Sequence, residues 1–364
     1  MEASVIRKDI VWVDWAKFIS MFFVYWCHID MLCDTRFVFC PVPYGSFFIN
    51  TFFVVSGYLF FKKHLSKLNG SYITPAIQFI RLGTGQGGVL PGIFFKLAIP
   101  SILFSLAFAL PRYITRGEDF ELNVLLFDTF FKGTCWFTCC LCVSELILFL
   151  MIVLIQIRSV WVYLLISIPI SVLGNYLVVE KTLILGNEYA PWFYKNGMLA
   201  VFLMACGGML QRYELYIDSI TKRIRSISIN KYASVIVLVA NIYFISLFLP
   251  FHSSNYSVQF GFDLFGVVYS ILSVLIVIMA CKCCSYFGFA KYISRHTIGM
   301  YFLSAAIPFV WGKIIETFFV TSSLSFLGGV IGSFLTSAAI VFCLDKYVPF
   351  VFDIRLLFKN NNAV

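Results

Sequence analysis

Long apolar runs recur along the whole chain, and short polar or charged segments separate them. Most of these runs hold about 20 residues, the length that an α-helix needs to cross the hydrocarbon core of a bilayer. The pattern predicts an all-α fold, a polytopic integral membrane protein with about ten transmembrane helices. The predicted spans are residues 10–31, 46–62, 92–111, 134–157, 160–179, 193–211, 232–251, 261–281, 297–316 and 326–348.

The composition agrees with this prediction and adds an orientation. Of 364 residues, 60% are hydrophobic and 12% are charged, and no clear linker divides residues 1–364, so one membrane domain is predicted. With a cytoplasmic N-terminus, 18 of the 27 Lys and Arg residues fall in inner segments and six in outer ones. Because cytoplasmic loops carry an excess of Lys and Arg, both termini are predicted to be cytoplasmic. The net charge of +9 then reflects topology, not a nucleic-acid partner.

The first predicted span carries three polar residues that are costly in a bilayer: Asp14, Lys17 and His28. On a helix, Lys17 and His28 are offset by only about 20° and separated by about 16 Å along the axis. Asp14 precedes Lys17 on nearly the same face. Taken singly, a structural ion pair and an inert histidine explain these residues. Their alignment favours a cation near the inner surface and a general base, or a transient covalent carrier, toward the outer surface.

Small and polar residues interrupt the second span, within NTFFVVSGYLFFKKH. Ser56 and Gly57 favour close helix packing, because small side chains let two backbones approach. Asn50 is predicted to lie near the outer end of this span. Since consecutive spans run antiparallel, that position is at the same depth as His28.

Most of the 12 cysteines lie within predicted spans, where cysteine behaves as a small hydrophobic residue. Cys33 and Cys40 fall in the first outer loop, and their spacing leaves both a disulfide and two free thiols open. Cys281, Cys283 and Cys284 lie at an inner helix end without further ligands at zinc spacing. Reduced thiols are therefore favoured there, and no metal is expected.

Six motifs are spread over nearly the whole chain. The first two are Asp14-x-x-Lys17 followed by ten residues and His28, and TFFVVSGYLF. The others are FFKLAIPSILFS, Cys135-Trp136-Phe137, AVFLMACGGMLQR and KYISRHTIGMYFLS. Together they resemble the signature motifs of the membrane acyltransferase 3 family. The chain departs from that family at Ser304, where many relatives have a second His, and at Lys17, where Arg is commoner. The resemblance therefore places more of the catalysis on His28 than in a typical relative.

The resemblance implies an acyl-CoA-dependent O-acyltransferase in the inner (plasma) membrane of a bacterium. Such enzymes move an acyl group, usually acetyl, from cytoplasmic acyl-CoA to a hydroxyl of a cell-surface or lipid-linked glycan. Acetyl-CoA would be the donor substrate, and no bound cofactor is expected. His28 would act as general base or acyl carrier. Lys17, Lys96 and Arg81 would lie near the phosphates of the polyanionic donor, with Asp14 positioning Lys17.

The remaining candidates concern the acceptor. Trp136 and Asn50 are expected to line its pocket, because an aromatic face suits a sugar ring, and Ser56 is grouped with them as a substrate-binding residue. Glu145 is a charged residue within the fourth span and is expected to pair with Lys313 or to line the substrate path.

Two other functional classes fit the topology. A polysaccharide exporter or small-molecule transporter also has many spans with intramembrane charge. A structural membrane protein would leave the alignment of the three polar residues in the first span unexplained. Release of CoA in the presence of a glycan acceptor separates the enzyme from the transporter.

Overall fold

The computed structural model describes residues 10–32, 47–68, 72–84, 88–116, 121–132, 135–179, 191–227, 264–318, 323–353 and 355–356. These ranges contain no strand, and they hold fifteen α-helices: α1 (Val11–Leu32), α2 (Phe47–His64), α3 (Pro75–Gly83), α4 (Val89–Ile93), α5 (Ile99–Arg116), α6 (Leu122–Phe127), α7 (Trp136–Ile155), α8 (Val160–Val179), α9 (Tyr194–Arg212), α10 (Glu214–Ile227), α11 (Leu264–Cys283), α12 (Gly288–Arg295), α13 (Thr297–Leu303), α14 (Ala306–Phe318) and α15 (Ser323–Tyr347). Two π-helical segments, Phe94–Ala98 and Asp128–Lys132, continue α4 and α6. The predicted all-α class is confirmed.

Several of these helices suit a bilayer, because a helix satisfies its backbone hydrogen bonds internally. Four stretches are long and apolar enough to cross a membrane: Val89–Ala107, Leu122–Ile155, Val160–Leu177 and Leu324–Tyr347. The pair α13 and α14, bent by 46°, makes a fifth if its two halves form one span. Nine of the ten predicted runs coincide with helices, and residues 232–251 lie outside the described part of the chain. The count of ten and the cytoplasmic termini stay predictions.

The helix that carries the polar residues of the first span, α1, is surrounded by other helices. It contacts α2, α11, α12, α13, α14 and α15. Near its start, the indole Nε1 of Trp15 donates to the carbonyl of Ser285 at 2.8 Å, and the ring stacks on Phe287 at 5.6 Å. Deeper along the helix, the Tyr25 hydroxyl donates to the carbonyl of Met300 at 2.8 Å. The helix that carries the polar residues is therefore packed among other helices on several sides.

Helices α2 and α9 cross with their backbones in direct contact. A Cβ atom built on Gly57 would lie 2.0 Å from the carbonyl oxygen of Met204, and one on Gly207 would lie 2.0 Å from that of Val54. Only glycine fits at either position, because real Cβ atoms do not approach so closely. The close packing predicted from Ser56 and Gly57 is confirmed at Gly57.

A charged network joins α10 to the ends of α2 and α11. The Tyr58 hydroxyl donates to Glu214 at 2.7 Å and accepts from the Lys62 ammonium at 2.8 Å. Lys282 on α11 forms an ion pair with Asp218. These contacts attach the polar helix α10 to the apolar bundle.

Candidate active site

A largely apolar cavity of about 260 Å³ lies between α1, α2, α7 and α13. Its lining residues are Val24, Cys27, His28, Phe48, Ile49, Phe52, Trp136, Phe137 and Tyr301. Most are aliphatic or aromatic, and the chemically active groups among them are the imidazole of His28, the hydroxyl of Tyr301, the thiol of Cys27 and the indole of Trp136. The structure therefore brings His28 and Trp136, two of the predicted site residues, to one cavity.

The imidazole of His28 is oriented by its own helix. Its Nδ1 lies 2.9 Å from the carbonyl oxygen of Val24, one turn earlier. A carbonyl oxygen only accepts, so Nδ1 is the protonated nitrogen and donates this hydrogen bond. In the neutral ring the other nitrogen, Nε2, then keeps its lone pair. His28 is only partly buried and lines the cavity, as a general base must if it is to reach a bound hydroxyl.

Tyr301 ties α13 to the start of α7. The backbone N–H of Phe137 donates to the Tyr301 hydroxyl oxygen at 3.1 Å, and the two rings pack at 5.2 Å. Phe137 is in the first turn of α7, where backbone N–H groups have no partner inside the helix. The tyrosine therefore satisfies one of these donors while lining the cavity.

Of the three histidines that the structure describes, only His28 lines the cavity. His64 ends α2 and His296 directly precedes α13. Ser304, the position where a second histidine would stand, is buried, and its hydroxyl donates to the carbonyl of Tyr301 at 2.7 Å. Its side chain thus bonds within the end of α13.

The other residues predicted on α2 lie beside the cavity but do not line it. Asn50 is 2% exposed and follows two lining residues, Phe48 and Ile49, along the helix. Ser56 lies further along, next to the α9 crossing at Gly57. Neither residue belongs to the cavity lining.

Asp14 and Lys17 are half-buried on α1, on the side of His28 toward the helix start. Neither belongs to the cavity lining. The ion pairs found among the described residues do not include one between these two side chains. The role given to Asp14, holding Lys17 in position, stays a prediction.

The two other predicted cations lie away from the cavity. The guanidinium of Arg81, on the exposed face of α3, donates to the carbonyl of Lys67 at 3.1 Å. Lys96 is exposed in the π-helical segment after α4 and acts electrostatically on Asp353. Burial opposes ionisation of Asp353, but hydrogen bonds and charge from Arg355, with a smaller effect of Lys96, lower the pKa of this carboxyl. Arg355 binds it in bidentate fashion at 2.7 and 2.6 Å.

Glu145 is half-buried in α7 and does not line the cavity. The predicted pairing with Lys313 is wrong. Lys313 bonds Glu316, one turn along its own helix, at 2.7 Å, and the cation that acts on Glu145 is Lys63 at the end of α2. Local pairs of this kind form at three-residue spacing regardless of distant partners.

Of the four lining residues with chemically active groups, two were not predicted from the sequence as site residues, Cys27 and Tyr301. Both could have been selected from the sequence. Cys27 directly precedes His28, and Tyr301 lies in the motif KYISRHTIGMYFLS. Among the described residues, Cys281, Cys283 and Cys284 form no disulfide, and Cys33 and Cys40 lie outside the described part of the chain. Within the described ranges, no group of three or more His, Cys, Asp or Glu side chains is placed to hold a metal ion.

Comparison with known proteins gives one finding. A family model described as an acyltransferase domain matches residues 10–342, which include every residue that lines the cavity. Neither the curated proteins nor the solved structures gave a significant match. The matched segment covers most of the chain, from the start of α1 into α15. The chain therefore belongs to the acyltransferase 3 family.

Proposed function

We propose that this protein is a membrane O-acyltransferase that moves an acyl group, of which acetyl is the simplest, from cytoplasmic acyl-CoA to a hydroxyl of a cell-surface or lipid-linked glycan. The observation that carries the proposal is the imidazole of His28, held by its Nδ1 so that Nε2 keeps a lone pair at an apolar cavity. Membership of the acyltransferase 3 family supports the reaction class. We place the reaction in a bacterial inner (plasma) membrane, with acyl-CoA on one side and the glycan on the other.

One imidazole suffices for the proton transfers of this reaction. A sugar hydroxyl is a weak nucleophile, so Nε2 of His28 removes its proton while the oxygen attacks the thioester carbon. The carbon–sulfur bond then breaks, the ester forms on the sugar, and the proton passes from Nε2 to the departing CoA sulfur. The alternative is a covalent route, in which Nε2 itself takes the acyl group before the sugar attacks.

The donor would approach from the start of α1. CoA is polyanionic, so cations at this end suit its phosphates, and Lys17, Lys96 and Arg81 are the proposed contacts. Asp14 would position Lys17. Lys17 and His28 are about 16 Å apart by helix rise, which suits an extended pantetheine arm. The half-burial of Lys17 on α1 is compatible with a role at the mouth of such a path.

The acceptor would bind against the aromatic walls of the cavity. Trp136 lines it and offers an indole face on which a sugar ring can pack. Asn50 and Ser56 lie on α2 but do not line the cavity, so we assign them to the packing of this helix and not to direct contact. Glu145 lies off the cavity, and we assign no substrate contact to it.

The test compares two histidine variants in purified protein reconstituted in lipid vesicles. His28→Gln removes the base, and His64→Gln is the matched control, because His64 is buried at the far end of α2 and is absent from the cavity lining. Rates of CoA release and of ester formation on the glycan are measured with acetyl-CoA as donor. We expect a loss of about 10²- to 10⁴-fold for His28→Gln, the usual contribution of general base catalysis, and little change for His64→Gln. Wild-type turnover by a folded His28→Gln protein would overturn the proposal.

One observation favours the alternative hypothesis that the protein is a transporter. The bend of 46° between α13 and α14 is a broken helix, and broken helices often form the binding sites of transporters. The same vesicle assay distinguishes a transporter from a transferase. Movement of glycan across the vesicle membrane without release of CoA identifies a transporter, whereas acceptor-dependent release of CoA identifies the transferase.

A further inference from the structure

Tyr301 lines the cavity, and its hydroxyl is a polar group that the reaction above leaves unused. It reaches the cavity from α13, whereas His28 reaches it from α1. Among the described residues it takes part in one hydrogen bond, in which its oxygen accepts from the N–H of Phe137 at 3.1 Å. A phenol can accept and also donate. The proton of this hydroxyl is therefore left for another acceptor.

A second tyrosine nearby shows the contrast. Tyr25 on α1 uses its hydroxyl proton within the fold, donating to the carbonyl of Met300 at 2.8 Å. Met300 directly precedes Tyr301 on α13. Tyr25 is fully buried and is absent from the cavity lining, while Tyr301 is partly exposed and belongs to it. The Tyr25 hydroxyl therefore links two helices, whereas the hydroxyl of Tyr301, a lining residue, donates its proton to no acceptor among the described residues.

We propose that the Tyr301 hydroxyl donates a hydrogen bond to the carbonyl oxygen of the acyl group as that oxygen becomes an oxyanion. This role deepens the proposed transferase function and rests on it. When the sugar oxygen attacks the thioester, the carbonyl oxygen takes up negative charge. A donor already fixed in place stabilises that charge without reorganising at the moment of reaction.

The surroundings of Tyr301 make it a well-oriented donor. The bond from the Phe137 N–H fixes the position of the phenol oxygen, and accepting a hydrogen bond strengthens a hydroxyl as a donor. The walls of the cavity are mainly apolar, so the local dielectric is low and the electrostatic value of the bond rises. His28 and Tyr301 then have complementary tasks: Nε2 accepts the proton of the nucleophile, and the phenol stabilises the oxygen of the electrophile.

The first experiment is Tyr301→Phe in the vesicle assay, with Tyr25→Phe as the matched control. Both variants keep the ring and lose one hydroxyl at the α1–α13 region. We expect kcat to fall about 10²- to 10³-fold for Tyr301→Phe, the usual effect of removing one oxyanion donor, while KM for acetyl-CoA stays within about twofold. Binding of a CoA thioether that lacks the carbonyl should not change. Tyr25→Phe should keep kcat within about threefold even if its melting temperature falls.

A purely structural role for the Tyr301 hydroxyl predicts different results. In that case Tyr301→Phe and Tyr25→Phe would lose stability and kcat together, or Tyr301→Phe would retain wild-type kcat, and either result overturns the proposal. Fluorotyrosine incorporated at Tyr301 keeps both the hydroxyl and the shape, so it tests the proposal even if Tyr301→Phe does not fold. Fluorination makes the phenol more acidic and so changes its strength as a hydrogen-bond donor. A changed kcat at unchanged melting temperature supports hydrogen-bond donation by the hydroxyl in the reaction, and an unchanged kcat contradicts it.

The proposed function and the role of Tyr301 fail in distinguishable ways. A wild-type protein that releases no CoA with any glycan acceptor refutes the transferase function and the tyrosine role with it. A wild-type protein that turns over, is inactivated by His28→Gln and is unaffected by Tyr301→Phe refutes the role of Tyr301 alone.

Discussion

The crossing of α2 and α9 allows a stability prediction whose sign and size follow from geometry. In Gly57→Ala the new Cβ would lie 2.0 Å from the carbonyl oxygen of Met204 and 2.5 Å from its Cα. Both are backbone atoms that cannot rotate away. A separation of at least about 3 Å requires the two helices to move apart by about 1 Å, and overpacking of this kind costs about 1–3 kcal/mol.

Two further effects change this expected loss of stability. Alanine favours a helix over glycine by about 1 kcal/mol, which offsets part of the cost. Separation of the helices also loses dispersion contacts along the whole crossing, which adds to it. Gly328→Ala on α15 is the matched control, because a Cβ there meets nothing within 4 Å and only the helix-propensity gain remains.

The assay is thermal unfolding in detergent together with acyl transfer in vesicles. Gly57→Ala should unfold at a lower temperature than wild type, and Gly328→Ala at the same or a higher one. Transfer should fall as well, because α2 carries Phe48, Ile49 and Phe52 in the cavity wall, and a displacement of about 1 Å can cost 10²-fold in rate. The reasoning is refuted if Gly57→Ala is as stable as Gly328→Ala.

Two further predictions concern the ends of helices. Gln156 directly follows the last residue of α7 and has a φ of 54°. Its side-chain amide donates to the carbonyl of Ile73 at 2.6 Å and accepts from the N–H of Ile73 at 3.0 Å. Gln156→Ala should lower stability by about 1–3 kcal/mol by leaving these groups unpaired, and Gln156→Gly should be the more stable of the two variants in thermal unfolding because glycine tolerates a positive φ. Asp353→Asn removes the pair with Arg355, and the loss should be under about 1 kcal/mol because both groups are partly exposed. Since the pKa of Asp353 is lowered in the folded protein, the pair stabilises above the unfolded pKa of about 4 and its contribution disappears as pH falls through the lowered value. Melting temperatures of wild type and Asp353→Asn should therefore differ at pH 7 and converge in acid; equal differences at both pH values contradict the assignment.

The helices of this protein were predictable because length and apolarity suffice to predict a helix in a bilayer. Their irregularities were not predicted, although the signals were in the sequence. Pro308 has no N–H for the carbonyl of Ser304, and its ring would clash with that carbonyl in a continuous helix, which explains the break between α13 and α14. Pro100 stands in the same relation to Lys96, the centre of the π-helical segment.

The candidate site was predictable only where the residues concerned lie on one helix, because the helical period then fixes their relative positions. The position of His28 relative to Lys17 follows from the period of α1, and its Nδ1 partner, Val24, lies on the same helix. The contact of Phe137 with Tyr301 joins helices that are distant in sequence, and nothing in the spacing of residues fixes such an approach. The predicted pairing of Glu145 with Lys313 also required two distant helices to approach, and it was wrong. Lys313 instead pairs with Glu316 on its own helix.

The cavity lies beside the second half of α1, at His28, and this position constrains how the two substrates of the proposed reaction meet. The attacking oxygen and the thioester carbon must approach to about 3–3.5 Å, with the base in hydrogen-bond reach of the same hydroxyl. A donor whose phosphates stay near Lys17 therefore reaches His28 only with its extended arm. A cavity of about 260 Å³ then takes the acyl end and the reacting edge of one acceptor, and the bound substrates would displace water, the competing nucleophile. In the proposed reaction the apolar walls exclude water, and two polar groups of lining residues carry the chemistry: Nε2 of His28 and the hydroxyl of Tyr301.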